Sequence, residues 1–324
     1  MVKTAPGPDA RRMIATVAWQ YHSRGLRQGA IAERLHISQS RVSRLLDQAV
    51  ELGIVRTVVV LPEAEQSSLE RELQAAYDLT DVHVHDLGEV KDETEMAREL
   101  GQLLALHLQN ATMDAKVIGF TSWSRALGET VRYLQPLPHS GVKQVVEMVG
   151  DLGPPTLQLA AQNTQQLATL TGADPLFLRV PGVQPNRELK QIVLEHNRHA
   201  RAALSKLDHM DFAMTGIGAP GIVPQLRAGD NFFTSQQVAR AKKLGAVGEL
   251  NLRYIAQDGE PLNLDIEDLV IGATLQQLRR ATHRLGVAGG PPKYRAIRAA
   301  LIGGWLNMLV TDSTTAQWLI ANRN

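Results

Sequence analysis

In the larger part of this 324-residue chain, segments typical of buried strands alternate with segments typical of helices. This alternation constrains the fold more than any other feature of the sequence. This alternation predicts a mostly parallel, Rossmann-like sheet with helices on both faces, which is an α/β fold. The predicted strands are Val82–His85, Lys116–Phe120, Gln144–Val149, Leu176–Val180, Asp211–Thr215, His283–Ala288 and Leu306–Thr311.

The segments between most of these strands have helical patterns. The predicted helices are Glu93–Asn110, Arg125–Leu134, Leu157–Thr171, Glu188–Leu207, Gln236–Leu244, Ile266–Thr282, Tyr294–Trp305 and Thr315–Ala321. One insertion departs from the alternation. Ala246–Ile255 and Pro261–Leu264, joined across Asp258-Gly259, predict a β-hairpin.

The first 60 residues have a different pattern, which predicts three short helices. Apolar residues from Met13 to Tyr21 fall on one face of the first helix. The second helix runs from about Gln28 to Leu35 and the third from Ser38, a good N-cap, to about Leu52. The turn between them holds only about two residues, which fits a helix-turn-helix. Its apolar residues are Ile31, Ala32, Leu35, Ile37, Val42, Leu45 and Leu46.

The polar face of the third helix favours contact with DNA. Short hydroxyl side chains let a helix approach a groove, Arg can pair with guanine, and Gln can pair with adenine. We expect contacts to base edges or nearby phosphates from Gln39, Ser40, Arg41 and Arg44, with further contacts, mainly to phosphates, from Arg27, Gln28, Ser38 and Ser43. Residues 1–60 also carry nine Lys and Arg against four Asp and Glu. The alternative is a solvated helical bundle without a DNA function.

The domain boundary is expected near residue 60. The β-branched run Ile54–Leu61 predicts a short strand, Pro62–Gln66 a polar break, and Ser67–Tyr77 a helix. We therefore expect a helix-turn-helix domain at 1–60 and a ligand-binding, oligomerising domain at 61–324.

Glycines and hydroxyl residues follow five of the predicted strands. Ligands of parallel sheets bind beyond the carboxyl ends of the strands, where glycines allow close backbone approach and helix N-termini favour phosphate. The five segments are 119–124, 150–153, 216–218, 289–293 and 311–312. Together they predict a site for a small polar ligand.

Three side chains near these segments each have two interpretations. Lys293 is expected in the first turn of a helix, where the dipole disfavours a cation unless an anion is bound; otherwise it only reaches into water. Glu249 either accepts sugar hydroxyls or is an exposed strand carboxylate. Trp123 either has a role at the site, where it stacks on a sugar or closes the site, or is a buried core residue.

Composition excludes several other classes of site. The chain has no cysteine, which excludes disulfides, thiolate metal sites and cysteine nucleophiles. We interpret His83 and His85, and His196 and His199, as structural or surface residues because no further ligand is evident beside either pair. No Ser-His-Asp arrangement, signal peptide or membrane span is evident. We therefore expect a cytoplasmic protein with no metal, no cofactor and no membrane partner.

Several motifs resemble the SorC family of sugar-binding bacterial transcriptional regulators over nearly the whole chain. In the N-terminal part these are residues 28–35 (QGAIAERL), 42–46 (VSRLL) and 53–56 (GIVR). In the larger part they are residues 245–249 (GAVGE), 288–290 (AGG) with Lys293 and 296–297 (AI), and 311–312 (TD) with 315–316 (TA).

The resemblance implies an effector domain related in fold to sugar-phosphate isomerases and deaminases, usually without known catalysis. It implies a sugar, sugar phosphate or polyol as effector, and homodimers or homotetramers on palindromic double-stranded DNA operators. By position the effector would be bound by Thr121, Ser122, Ser124, Glu249 and Lys293, with Gly216 and Gly218 lining the pocket. Trp123, Gly150 and Asp151 complete the candidate set.

The chain departs from the family pattern at three places. Ser124 and Ala126 stand where members often have Gly and Thr, and Glu249 stands where they often have Asp. Arg27 stands where many members have a helix-capping Ser. The first two departures bear on which effector fits and whether it is phosphorylated.

Two other functions are alternatives to an effector-controlled regulator. One is an isomerase or deaminase fused to a DNA-binding module, with Glu249, Asp151 and Lys293 as acid–base candidates. The other is a constitutive DNA-binding protein whose larger domain only forms oligomers.

Overall fold

The structure is a computed structural model, and it describes residues 7–55, 67–90, 92–110, 114–137, 140–154, 156–222, 226 and 230–323. The chain divides into two compact units, Met1–Val60 and Leu61–Asn324. Apart from Ile54 and Val55, which are not in a strand, the strand predicted over Ile54–Leu61 lies outside the described residues, as does the break at Pro62–Gln66.

The smaller unit contains the three predicted helices: α1 (Pro8–His22), α2 (Gln28–Leu35) and α3 (Gln39–Glu51). His36 ends α2 with a left-handed backbone, φ 52°, and the Ser38 hydroxyl caps α3 by accepting a bond from the Arg41 N–H at 3.3 Å. The helices enclose a core of Ile14, Val17, Ala18, Ile31, Ala32, Val42, Leu46 and Ala49. Met13 and Tyr21, predicted on the same face of α1, are exposed instead.

The larger unit is built on a seven-stranded sheet in which every pairing is parallel. Its strands lie in the order β1-β9-β8-β5-β2-β3-β4. They are β1 (Asp81–His85), β2 (Val117–Phe120), β3 (Gln144–Glu147), β4 (Asp174–Leu176), β5 (Phe212–Gly216), β8 (His283–Val287) and β9 (Met308–Asp312). A separate antiparallel pair consists of β6 (Gly248–Leu250) and β7 (Arg253–Ile255).

Helices cover both faces of the sheet, so that its inner strands are largely buried, while the edge strands β1 and β4 are only partly buried. The helices are α4 (Ser68–Tyr77), α5 (Glu93–Asn110), α6 (Arg125–Tyr133), α7 (Thr156–Thr171), α8 (Arg187–His196), α9 (Arg198–Leu207), α10 (Ser235–Lys243), α11 (Leu275–Arg280), α12 (Tyr294–Ile302) and α13 (Ser313–Ala321). One core cluster contains residues of α4, α9, α11, α12 and α13. A second contains residues of α5, α6 and α7. The predicted α/β fold is confirmed.

The strand predictions fail at the far edge of the sheet. Leu176–Val180 was expected as a strand, but β4 ends at Leu176 because the Leu178 N–H donates to the Glu147 carboxylate at 2.8 Å and not to a neighbouring strand. The strand predicted over Gln144–Val149 ends at Glu147, and Val149 forms an isolated antiparallel bridge with Gly272.

Two predicted helices are each divided by a side-chain cap. The helix expected over Glu188–Leu207 is two helices, because the Asn197 side chain accepts the Ala200 N–H at 3.0 Å and starts α9. The helix expected over Ile266–Thr282 is a short 3₁₀ helix, Asp265–Leu269, followed by α11. Between them Val270 and Gly272 form bridges to other loops, and Thr274 then caps α11 in a capping box with Gln277.

The hairpin also differs from its prediction. Its turn lies at Asn251 and Leu252, both with positive φ, between β6 and β7. A turn does form at Asp258-Gly259, but Pro261 contributes only one isolated bridge, to Ile255. Proline has no N–H to donate to a strand ladder.

In the part of the chain that the structure describes, no helix is long and apolar enough to span a membrane.

The core of the smaller unit allows a direct test. Ile31 is fully buried, so Ile31→Ala should cost about 2–5 kcal/mol by removing apolar contacts and leaving a cavity. Val50 is 54% exposed, and Val50→Ala, the control, should change stability by no more than about 0.5 kcal/mol. Hydrogen exchange of the full chain should show lost amide protection in α1–α3 for Ile31→Ala only. Equal protection in the two variants would contradict this core assignment.

Candidate ligand cavity and nucleic-acid interface

The side chains predicted to contact DNA lie on one exposed surface of α3. Gln39, Ser40, Arg41 and Arg44 are exposed and Ser43 is half-buried, while Val42 and Leu46 face the core. Within the described part of this unit, Arg41 and Arg44 form no salt bridge, although the Arg44 Nε–H donates to the Ser40 carbonyl at 3.3 Å. Two guanidinium groups without a salt bridge, beside short hydroxyl side chains, form a surface suited to phosphates and base edges.

Of the remaining predicted DNA contacts, Ser38 also has a structural role. The Ser38 hydroxyl is engaged as the cap of α3 and lies 3.1 Å from the Ser40 hydroxyl. Arg27 occupies the N-cap position of α2, where its side chain makes no capping hydrogen bond, and it is exposed. Gln28 follows it as the first residue of α2 and is half-buried.

A cavity of about 350 Å³ lies beyond the carboxyl ends of β2, β5 and β8, three neighbouring strands near the middle of the sheet. Its volume is within the range of about 300–1,000 Å³ that is typical of small-molecule sites. It brings together seven of the predicted effector residues: Thr121, Trp123, Ser124, Gly216, Gly218, Glu249 and Lys293.

Glu249 is held in the cavity wall by β6. Its backbone pairs with Gly218 through hydrogen bonds of 3.0 and 2.8 Å, and its Oε2 accepts the Leu252 N–H at 2.8 Å. A Cβ atom at Gly218 would lie 2.0 Å from Glu249 Oε1, so any side chain there would require the carboxylate to move. Burial raises the pKa of Glu249 to about 7, against the hydrogen bond from Leu252 and the charge of Lys293.

Lys293 approaches the same cavity from the loop after β8. It lies at the end of a 3₁₀ turn, Pro291–Lys293, and is the N-cap residue of α12, not a residue of its first turn as predicted. Burial lowers the pKa of its ammonium; Arg125 lowers it further, and Glu93 and Glu249 oppose the shift. Among the described residues it has no salt-bridge partner. The ammonium is therefore available for an anionic ligand.

Asp312 fixes the loop that carries Lys293. Its Oδ2 accepts the Gly290 N–H at 3.0 Å, and Thr315 Oγ1 accepts the same N–H at 2.8 Å. Gly290 has φ 86°, a conformation that favours glycine. Asp312 is 2% exposed and also caps α13. Thr311-Asp312 was predicted near the ligand, but the Asp312 carboxylate serves to position the loop.

The N-terminus of α6 forms another side of the cavity. Ser124 is its N-cap residue, but the Ser124 side chain makes no capping hydrogen bond. The first backbone N–H groups of a helix have no partner within the helix and favour anions. The neighbouring Arg125 side chain donates to Thr94 Oγ1 at 2.8 Å and lies 3.8 Å from Glu93. This end of the cavity is therefore rich in hydrogen-bond donors.

The opposite side of the cavity is apolar and aromatic. Trp123, Phe232, Leu252 and Tyr254 line it and belong to one hydrophobic cluster. Trp123 is half-buried, and its indole N–H has no hydrogen-bond partner among the described residues. Trp123 thus packs against the core and also lines the cavity, while its stacking on a sugar stays a prediction.

Thr121 is less available than predicted. Its hydroxyl donates to Asn251 Oδ1 at 2.6 Å, lies 3.3 Å from the Thr215 hydroxyl, and is almost fully buried. Asn251, in the turn between β6 and β7, was not singled out from the sequence. Its left-handed backbone, φ 51°, is tolerated by asparagine, but the contact that it makes is too distant in sequence to be predicted.

Ser122, Gly150 and Asp151 were predicted in the same site but lie elsewhere. They line a second cavity of about 1,030 Å³ beside α7, and of the residues that the structure describes only Trp123 and Thr156 line both cavities. The carboxylate of Asp151 accepts the Gly153 N–H at 2.8 Å and the Asn231 side-chain amide at 3.0 Å. Asp151 is thus engaged in fixing loops and does not face Lys293.

Comparison with known proteins identifies the family. Residues 62–321 match the family described as "Putative sugar-binding domain". The chain is 30% identical to the deoxyribonucleoside regulator of Bacillus subtilis, over 96% of this chain and 98% of the relative. It is 30% identical to the transcriptional regulator LsrR of Klebsiella pneumoniae, over 95% of this chain and 93% of the relative.

A solved structure extends the similarity to nearly the whole fold. The crystal structure of the full-length sorbitol operon regulator SorC from Klebsiella pneumoniae matches 97% of this chain and 100% of its own, with a TM-score of 0.71 and 26% identity. The alignment includes both units described above. The chain therefore belongs to the SorC family of sugar-binding transcriptional regulators.

Proposed function

We propose that this regulator contacts operator DNA through residues 1–60 and binds a phosphorylated sugar, or a similar anionic polyol, in the 350 Å³ cavity of residues 61–324. The observation that carries the proposal is the presence in one cavity of Lys293, the uncapped N-terminus of α6 and Glu249. The first two favour a phosphate.

The chemistry of the cavity suggests how the ligand lies. The Lys293 ammonium and the α6 N–H groups bind the phosphate, and the Glu249 carboxylate accepts sugar hydroxyls. The Trp123 ring packs on the sugar, and its indole N–H, which lacks a partner, donates to a ligand oxygen. Gly216 and Gly218 line the cavity, and a Cβ at Gly216 would lie 2.8 Å from Ser124 Oγ, so glycine there leaves room for the Ser124 side chain.

DNA recognition uses the exposed face of α3 in two or more copies of the chain. A homodimer or homotetramer presents recognition helices to successive major grooves, about 34 Å apart. Effector binding changes operator affinity to the extent that the effector binds the DNA-competent and incompetent arrangements differently.

The larger unit acts as a sensor and not as an enzyme in this proposal. Its relatives are named as regulators, and the Asp151 acid–base candidate lies in a different cavity from Lys293. Incubation with pentose and hexose phosphates should return them unchanged. Turnover that is lost in Glu249→Gln would instead assign an isomerase or deaminase activity to this cavity.

Lys293→Gln should weaken binding of sugar phosphates to the full chain by about 10- to 100-fold, because this fold-change corresponds to the free energy of a hydrogen bond to a charged group. Titration calorimetry with pentose 5-phosphates and hexose 6-phosphates measures this. Lys206→Gln, on the exposed surface of α9, is the control and should bind as the wild type does. Equal affinities in the two variants would remove Lys293 from the site.

Glu249→Gln should change how stability depends on pH. Burial raises the pKa of Glu249 from 4.5 to about 7. The folded state therefore holds a proton that the unfolded state releases, and the stabilisation is present below about pH 4.5 and is lost as the pH rises to about 7. The wild type should lose on the order of 2–3 kcal/mol relative to Glu249→Gln across this window.

Denaturant unfolding at about pH 5 and about pH 8 measures the difference. Glu188→Gln, at an exposed position of α8, is the matched control and should follow the wild type at both pH values. A constant difference between wild type and Glu249→Gln would mean that Glu249 is ionised in the folded protein throughout.

Arg44→Ala should weaken binding to the specific operator by about 1–3 kcal/mol if Arg44 contacts a base edge. Fluorescence anisotropy on operator and unrelated duplexes distinguishes this from a phosphate contact, which would weaken both equally. Arg11→Ala, on the exposed surface of α1, serves as the charge-matched control. Unchanged binding of Arg44→Ala to both duplexes would exclude Arg44 from the interface.

A further inference from the structure

Three histidines from two elements meet at one edge of the sheet. β1 is an edge strand, and His83 and His85 lie on the same face of it, while His107 lies in the last turn of α5. The rings of His83 and His107 stack with their centroids 3.5 Å apart and 14° between their planes. The Nε2 atoms of His85 and His107 are 2.8 Å apart.

A distance of 2.8 Å between two imidazole nitrogens means that one ring donates its Nε2 proton to the lone pair of the other. Burial and the neighbouring His83 and His85 lower the pKa of His107 to about 3, and burial and His83 lower the pKa of His85. Both rings are therefore neutral near pH 7, the form in which imidazole binds metal ions.

We propose that His85 and His107 form a two-histidine site for a divalent transition metal ion such as Zn²⁺. The ion takes the place of the shared proton between the two Nε2 atoms, and that proton moves through solvent to Nδ1 of the same ring, so that no proton is lost. Tetrahedral Zn–N bonds of about 2.0–2.1 Å put the two nitrogens about 3.3 Å apart, which requires the rings to separate by about 0.5 Å.

Water completes the coordination of this ion. The described residues include no group of three or more His, Cys, Asp or Glu side chains arranged to hold a metal. His85 and His107 are half-buried, so water and the ion can reach them. A site with two protein ligands and open positions holds an exchangeable ion, in contrast to a closed four-ligand structural site.

His83 and Asp81 position the second ligand. His83 Nε2 lies 3.2 Å from Asp81 Oδ2, and the His83 ring stacks on His107. A carboxylate-bound histidine packed against a ligand ring restrains the plane of that ring, in the way that outer residues orient metal ligands. His83 is thus a positioning residue, and its own nitrogen is not needed for coordination.

This site is separate from the effector cavity and does not depend on the proposed function. None of the three histidines lines that cavity. A bound ion would tie the edge strand β1 to α5. In the sheet His85 lies opposite Asp312, the residue that holds the Lys293 loop.

Titration calorimetry of the tag-free full chain with ZnCl₂ tests the proposal. The wild type should bind one Zn²⁺ per chain, and His85→Gln and His107→Gln should each weaken binding by at least about tenfold. His83→Phe keeps the stacked ring but loses the bond to Asp81, so it should weaken binding by less than His85→Gln does. His199→Gln, in the other closely spaced histidine pair, is the control and should bind like the wild type.

Thermal unfolding without metal checks that each variant is folded. If His107→Gln is not folded, histidine ring NMR of the wild type gives the same answer, since Zn²⁺ should shift the His85 and His107 signals and leave the His196 and His199 signals in place. Three results would overturn the proposal: no Zn²⁺ binding by the wild type, equal affinity in His85→Gln, or loss of binding in His199→Gln.

Discussion

The buried carboxylate of Asp312 is the interaction on which the geometry of the ligand cavity depends. It accepts hydrogen bonds from the Gly290 N–H, the Thr315 N–H and hydroxyl, and the Thr314 hydroxyl. Three elements are joined by it, namely the end of β9, the start of α13 and the loop that carries Lys293. A carboxylate can be buried this deeply only when several donors satisfy it. The position of Lys293 thus follows from contacts outside the cavity.

The cavity holds two charged residues whose pKa values are shifted in opposite directions. Burial raises the pKa of Glu249 and lowers that of Lys293, so that each group is shifted toward its neutral form. Their mutual attraction opposes both shifts without removing them. A ligand that presents an anion to Lys293 and hydroxyl groups to Glu249 would provide the partners that the protein does not. Shifted pKa values of this kind are expected at the ligand site of a domain that has to respond to binding.

The sequence predicts the elements well where local patterns decide the structure. The helix-turn-helix follows from the spacing of Ile31, Val42 and Leu46 and from the Ser38 cap, and most strands agree with prediction within two residues. Prediction fails where the backbone forms hydrogen bonds or bridges with a side chain or loop that is distant in sequence, as at Leu178 and at Val270. Glycine after a strand likewise did not indicate which of two cavities a residue would line, so Gly150 and Asp151 were grouped with Lys293. His107 could not be associated with His85 from the sequence, because only the fold brings them together.

If the cavity is the effector site, a ligand of the cavity changes DNA binding through Lys293. Binding is followed by the anisotropy of labelled upstream DNA that is titrated with the full chain. For the wild type, one sugar phosphate should shift the midpoint of this binding curve. Lys293→Gln should bind the DNA equally well but show no shift at the same concentration of that compound. An equal shift in Lys293→Gln would place the effector elsewhere. Absence of a shift with every compound, together with unchanged thermal stability, would mean that the larger unit only forms oligomers.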